Sequence, residues 1–293
     1  MTWTRVSLRY RTTAQATRAA ERRTGRRMGT RRRLDAELVR RGLARSREQA
    51  AGLVADGRVL VAGQAAGKSA TQVAADAPIL VTDAGEEPAY ASRGGRKLAG
   101  ALAAFPGLRV AGRRCLDAGA STGGFTDVLL RSGAAHVIAA DVGYGQLAWA
   151  LRTDERVTVL DRVNVRQLQP AQVAPAPDLV TADLSFISLT LALPALVRCA
   201  RPEADFLLLV KPQFEVGKGR VGAGGVVREP RLREEAVASV AAAAADLGLG
   251  VSGLTASPLP GPSGNVEYFL WLHRGAPPLE PGDLRRAIAE GPQ

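Results

Sequence analysis

The chain has 293 residues, 46% apolar and 4% aromatic, enough for one large domain or two smaller ones with cores built on Ala, Val and Leu. A formal charge of +11 points to a polyanionic partner, nucleic acid first. Two cysteines, Cys115 and Cys199, make neither a disulfide framework nor a zinc site, no apolar run reaches the ~18 residues of a membrane span, and the Arg-rich start lacks a secretory core. The expectation is a protein of the reducing cytoplasm without a metal.

Residues 1–30 are polar and Arg-rich, and they read as a disordered basic arm. An overlong start is the other reading, because Met28 stands just before the first organised segment. Residues 31–81 form a compact unit. Leu34, Leu38 and Val39 have helical spacing and Gly42 stops that helix. Ser46 caps a second helix, with Gln49 at the capping-box position and Ala50, Leu53 and Val54 on its apolar face. Asp56-Gly57 is a tight-turn signal, Gly63 a second turn, and 59–61 and 78–81 are strand-like. A helix-turn-helix followed by a hairpin, ringed by Arg31, Arg32, Arg33, Arg40, Arg41, Arg45 and Arg47, resembles the alpha-L RNA-binding domain. Its basic face is expected to meet RNA phosphates. Residues 82–91, with Glu86, Glu87 and Pro88, read as a linker.

From 92 to 275 the pattern changes. Residues 95–105 are helical, with Leu98, Ala101 and Leu102 on one face. Apolar runs at 115–117, 137–141, 157–160, 179–183 and 206–211 then alternate with helical stretches such as 125–131 and 191–200. That alternation predicts an α/β domain with a doubly wound, mostly parallel sheet. An Ala-rich helix at 234–247 and a last, antiparallel strand at 266–272 follow, and 276–293 read as a tail. His136, at a strand start, reads as structural.

Asp117, Gly119, Ala120, Ser121, Thr122, Gly123 and Gly124 form a loop that leaves the first strand and opens a helix at Phe125. Glycines there let the backbone turn sharply and approach a ligand. The spacing acid-x-Gly-x-x-x-Gly resembles the first motif of S-adenosylmethionine-dependent methyltransferases, and so implies a Rossmann-like domain of that kind. Asp141, about 20 residues on with Val142 beside it, stands where an acid grips ribose hydroxyls. Asn164, after the third strand, is placed to meet the adenine, a plain turn role being the alternative.

Four charged residues remain: Lys97, Asp183, Lys211 and Glu267. The chain has 39 Lys+Arg, yet its only lysines are Lys68, Lys97, Lys211 and Lys218. A chain that defaults to arginine and keeps lysine gains a compact amine able to act as a base. Asp183, Lys211 and Glu267 lie at or near strand ends, where open α/β sheets place their ligands.

The order Lys-Asp-Lys-Glu resembles the tetrad of ribose 2'-O-methyltransferases. From residue 31 on, the chain resembles the TlyA family, also labelled haemolysin, whose members methylate cytidine 2'-hydroxyls in ribosomal RNA. The likeness is densest at 115–125, 139–149, 182–188, 210–219 and 257–272, and the Arg-rich arm departs from it. The resemblance implies S-adenosylmethionine as cofactor and RNA of the small and large ribosomal subunits as substrate. It makes Lys211 the base, eased by burial and by Lys97 nearby, with Asp183 orienting it and favouring the sulfonium. Glu267 is expected to hold Lys97 and help fix the ribose. The glycine-rich segment 217–225, with Lys218 and Arg220, reads as an RNA-facing lid, and the three-proline stretch 257–265 as a pocket rim. Competing readings are a membrane-active haemolysin, a non-enzymatic ribosome-binding or assembly protein, and a pseudouridine synthase with the same RNA-binding unit. A pore needs no such loop or tetrad, the tetrad argues against a mere binder, and the glycine loop belongs to a different fold from a synthase. The oligomeric state is not legible.

Overall fold

The computed structural model describes residues 31–55, 57–62, 64–75, 77–81 and 90–291. The expected basic arm, residues 82–89 of the expected linker, Asp56 and Gly63 lie outside these. The first unit runs β1 (Arg31–Arg33), α1 (Leu34–Arg40), α2 (Arg47–Ala55), β2 (Val59–Val61), β3 (Gln64–Ala65), β4 (Gln72–Ala74) and β5 (Ile79–Val81). The apolar faces read from the helical spacing do meet: Leu34, Leu38, Ala50, Leu53 and Val54 close on Val59 and Val73. Gly42 leaves α1 at φ 70. Ser46 Oγ accepts from Gln49 N at 3.1 Å, while Gln49 Oε1 accepts from Arg45 N at 2.6 Å, so the capping box is displaced by one residue. β2 lies between β3 and β5, and β1 pairs antiparallel with β4.

The second half runs α3 (Arg93–Ala104), β6 (Arg114–Ala118), α4 (Gly124–Arg131), β7 (His136–Ala140), α5 (Trp149–Arg152), β8 (Val157–Leu160), β9 (Leu179–Ala182), α6 (Leu189–Cys199), β10 (Asp205–Val210), α7 (Pro212–Glu215), α8 (Pro230–Ala245), β11 (Gly250–Ala256), β12 (Tyr268–His273) and α9 (Pro281–Glu290). Seven strands form one sheet in the order β11-β12-β10-β9-β6-β7-β8. β10, β9, β6, β7 and β8 are parallel, and β12 is antiparallel to both its neighbours. The strands are apolar runs because both faces are covered. Phe206, Leu208 and Val210 join one core with α6 and α8, whereas Leu207 and Leu209 join another with α3 and α4. The chain winds from β6 to β8 in one direction and returns to place β9 on the other flank of β6. That reversal opens a crevice at the carboxyl ends of β6 and β9. His136 Nε2 lies 2.8 Å from Thr158 Oγ1 and ties β7 to β8, a structural role as expected.

Two elements were not legible in the sequence. β11 carries Gly250 and Gly253, which weaken its strand pattern; a Cβ on Gly253 would stand 2.6 Å from Phe105. α9 falls in the segment read as a tail, yet Ala287 and Ile288 are buried in the core shared with α8. One apolar stripe of Leu284, Ala287 and Ile288 in a polar stretch is a weak sequence signal.

The basic face of the first unit differs from the expectation in two ways. Arg31, Arg32 and Arg33 form a strand ahead of α1, not part of a helix face, because they pair antiparallel with Gln72–Ala74. Moreover, two buried carboxylates engage much of the cluster. Asp35 accepts from Arg33 at 3.1 and 2.8 Å and from Arg47 at 3.1 Å. Glu37 accepts from Arg40 at 2.8 and 2.6 Å and from Arg41 at 2.8 Å. Arg41 reaches on to Ala77 O and Ala75 O, so it staples α1 to the loop after β4. Packed guanidiniums repel one another, and the buried acids remove that repulsion. Arg31, Arg32 and Arg45 stay exposed.

The Arg40 and Arg41 guanidiniums hold the Glu37 carboxyl down to about 2. A depressed folded value adds stability above the unfolded carboxyl range, and that stability is lost as pH falls from about 4.5 toward 2. Glu37→Gln should therefore lower the melting temperature of this unit at pH 7, followed by NMR signals of Leu34 and Leu38, with most of the deficit gone near pH 2.

Candidate active site

The glycine-rich loop follows from its backbone. Gly119 has φ 87, and a Cβ there would stand 2.5 Å from Asp183 O, so only glycine lets the loop lie against the end of β9. Gly123 has φ 98 and begins α4, where a Cβ would meet Leu151 at 2.3 Å. Between them Ser121 is held at φ 48, a conformation that Asp141 supports by accepting from Ser121 N at 2.8 Å. The other oxygen of Asp141 accepts from Gly143 N at 2.7 Å. Loop and acid thus form one rigid cradle.

This cradle borders a cavity of about 1180 Å³ lined by Gly119, Ser121, Asp141, Val142, Asn164, Asp183 and Leu184 on one side. Phe186, Leu191 and Phe214 line it farther along, with Gly217 and Val221 from the expected lid. Phe186 is 92% exposed, sits at φ 65, and stacks obliquely on Phe214 at 5.3 Å. Asn164 lines the cavity, and its Oδ1 accepts from Arg166 N at 3.1 Å, the turn role given as the alternative. Asp117, expected to contact the cofactor, borders neither this cavity nor its smaller neighbour. It is fully buried within β6, and Thr126 Oγ1 donates to its Oδ2 at 2.6 Å. Phe125 is chiefly a core residue, 6.0 Å from Phe269, with one edge on a smaller neighbouring cavity.

That second cavity, about 290 Å³, shares Gly119, Ser121, Asp183 and Ser185 with the first, and Ala120, Thr122, Gly124, Lys97 and Lys211 are among the other residues of its wall. Two ion pairs meet there. Lys211 Nζ, at the end of β10, is 2.5 Å from Asp183 Oδ1, at the end of β9. Lys97 Nζ, from α3, is 2.5 Å from Glu267 Oε2, just ahead of β12. Both lysines are buried, and Glu267 is only 1% exposed. Glu267 stands behind Lys97, packed so closely that a Cβ on Gly261 would be 2.5 Å from its Oε1. Lys97 is the member of that pair that reaches the cavity.

The rim is braced by residues that sequence reasoning passed over. Arg93, at the start of α3, donates to Pro260 O and so fixes the proline stretch, which puts Pro262 on the cavity wall. Asn265 accepts from Val227 N at 2.9 Å and donates to Gly225 O at 2.8 Å, joining the glycine-rich segment to the approach to Glu267. Arg220, expected on RNA, is paired with Glu235 of α8. The side chain of Lys218, also expected there, lies outside what the structure describes. Among the described residues, no group of His, Cys, Asp and Glu is placed to hold a metal ion, and no helix is long and apolar enough to cross a membrane.

Residues 90–274 match the FtsJ-like methyltransferase family, and 32–79 match the S4 domain. A curated relative from Mycobacterium tuberculosis, the 16S/23S rRNA (cytidine-2'-O)-methyltransferase TlyA, is 60% identical over 90% of this chain and 100% of its own length. The chain belongs to the TlyA family of FtsJ-like methyltransferases. Hemolysin A of Brachyspira hyodysenteriae is 36% identical over 81% of this chain and 98% of its own. A solved structure of a hemolysin-named protein of Streptococcus thermophilus superposes with a TM-score of 0.70, at 38% identity, over 90% of this chain and 96% of its own. The family is therefore one of enzymes, and the crevice with its two ion pairs lies within the part that matches the methyltransferase family.

Asp117 yields a test of the loop's foundation. Burial pushes its carboxyl up from 3.8 to about 7, against the pull of Thr126. The folded protein then binds a proton that the unfolded chain has released, so stability falls as pH rises from about 4 through about 7. Asp117→Asn should be more stable than the parent at pH 8 by on the order of a few kcal/mol, read as a higher melting temperature, with little difference at pH 4.

Proposed function

We propose that this enzyme methylates the 2'-hydroxyl of a cytidine ribose in ribosomal RNA of the small and large subunits, with S-adenosylmethionine as donor. The observation that carries the reading is the meeting of the Lys211–Asp183 and Lys97–Glu267 ion pairs at a cavity continuous with the glycine-loop cradle. The residues fit the cofactor. Asp141 offers a fixed carboxylate to ribose hydroxyls, Val142 and Leu184 offer apolar cover, and Asp183 puts negative charge where a sulfonium would stand. Bound, the cofactor supplies an electrophilic methyl, so what the chain must add is placement and proton removal.

Lys211 is the base, because it reaches the cavity, is buried, and is one of few lysines in an arginine-rich chain. Asp183 holds it in place. Lys97, paired with Glu267, steadies the oxygen as its proton leaves. Phe186 and Phe214 give an unstacked base a flat apolar surface at the mouth. The small N-terminal unit would dock the RNA through Arg31, Arg32, Arg45 and the outward edges of Arg33, Arg40 and Arg47, as its match to the S4 domain supports. On this reading the domains run 31–81 and 92 onward, and the protein works in the cytoplasm, where ribosomes are modified.

Tritiated S-adenosylmethionine with ribosomal subunits, followed by mapping of blocked 2'-hydroxyls, tests the activity; unlabelled RNA with every subunit state would leave a non-enzymatic ribosome binder. Lys211→Ala should slow methyl transfer by roughly 100-fold or more while leaving cofactor and RNA affinities near the parent values. Phe186→Ala should instead act on RNA, raising KM about 5- to 100-fold.

A further inference from the structure

Lys211 Nζ meets two groups of the loop that follows β9. Asp183 Oδ1 is 2.5 Å away as an ion pair, but that oxygen has no aligned hydrogen bond among the described residues. The directional contact is with Ser185, whose Oγ accepts from Nζ at 3.0 Å. Ser185 borders both cavities, so its hydroxyl lies at the junction between cradle and base. Its loop is pinned to the segment that follows Lys211. The Phe186 ring rests on Phe214, and the Glu215 carboxylate accepts from Ser188 Oγ and from Leu189 N, the latter at 2.9 Å. Residues 183–189 and 211–215 therefore hold Ser185 and Lys211 at a fixed separation.

We propose that Ser185 is a positioning residue that aims the lone pair of Lys211 at the substrate hydroxyl. This rests on Lys211 being the base. A neutral amine carries two N–H groups and one lone pair, arranged tetrahedrally with Cε, and it turns freely about the Cε–Nζ bond unless something stops it. One N–H committed to Ser185 and a second drawn toward Asp183 leave the lone pair the remaining direction. Asp183 contributes charge, which hardly depends on that rotation, and Ser185 contributes the angle, which does. Removal of the Ser185 hydroxyl leaves the charged neighbours of Lys211 untouched, namely Asp183, the Lys97–Glu267 pair and Arg93. What is lost is aim, and misaimed reacting groups cost rate rather than binding.

The experiment measures single-turnover methyl transfer to ribosomal subunits by the full chain carrying Ser185→Ala, Ser185→Thr or Lys211→Ala, with cofactor affinity measured calorimetrically. Ser185→Ala should lower the rate at saturation about 10- to 100-fold with KM for RNA and cofactor Kd unchanged. Ser185→Thr, which keeps a hydroxyl, should recover most of that loss. An undiminished rate in Ser185→Ala beside a crippled Lys211→Ala overturns this inference and spares the base. So does a loss carried by KM or Kd, or a threonine variant no better than alanine. A normal rate in Lys211→Ala removes the base itself, and this inference with it.

Discussion

Two buried lysines, the buried Glu267 and the half-buried Asp183, gathered at one edge of an apolar sheet, are the constraint around which the rest is arranged. Charges out of water are costly unless each finds its partner, and a mispaired member would be worse than none. The partners come from four separate places: α3, the end of β9, the end of β10 and the approach to β12. The reversed direction of β12 makes this possible. Tyr268 pairs with Val210, so the start of β12 lies beside the end of β10 and Glu267 stands at the same edge as Lys211. A parallel last strand of this length would carry Glu267 to the far edge, about 20 Å away at 3.3 Å per residue.

The cradle and the ion pairs support each other. Gly119 lies so close to Asp183 O that the loop and the end of β9 form a single surface, and Asp183 serves both cavities. Strained backbone gathers here too, at Ser121 and Phe186. Such conformations persist where neighbours over-determine them, as Asp141 does for Ser121 and Phe214 for Phe186.

Much of this was legible because parallel strands write themselves as apolar runs ending in an acid or a lysine. Asp141, Asp183 and Lys211 stand at such ends, and the two-faced burial of β10 kept its run unbroken. Asp117 follows the same rule but stands one residue inside its strand, with its side chain turned to Thr126. β11 and α9 were missed for want of apolar pattern: glycines replace side chains in one, and a single stripe carries the other. The arginine cluster was seen, but its partners were not, since Asp35 and Glu37 in a helix look like ordinary solvated acids until their burial is known.

Those two acids change what the basic unit can offer a polyanion. Binding of RNA draws strength from releasing ions condensed on the phosphates, and only charge not already balanced by the protein contributes fully. Arg33, Arg40, Arg41 and Arg47 share Asp35 and Glu37, so the unit behaves as less cationic than its arginines suggest. In exchange their guanidiniums are held in register, with geometry set before RNA arrives. The consequence is a docking surface that grips by shape more than by charge density, and whose hold on RNA should weaken less steeply with added salt than a loose arginine tract of equal length.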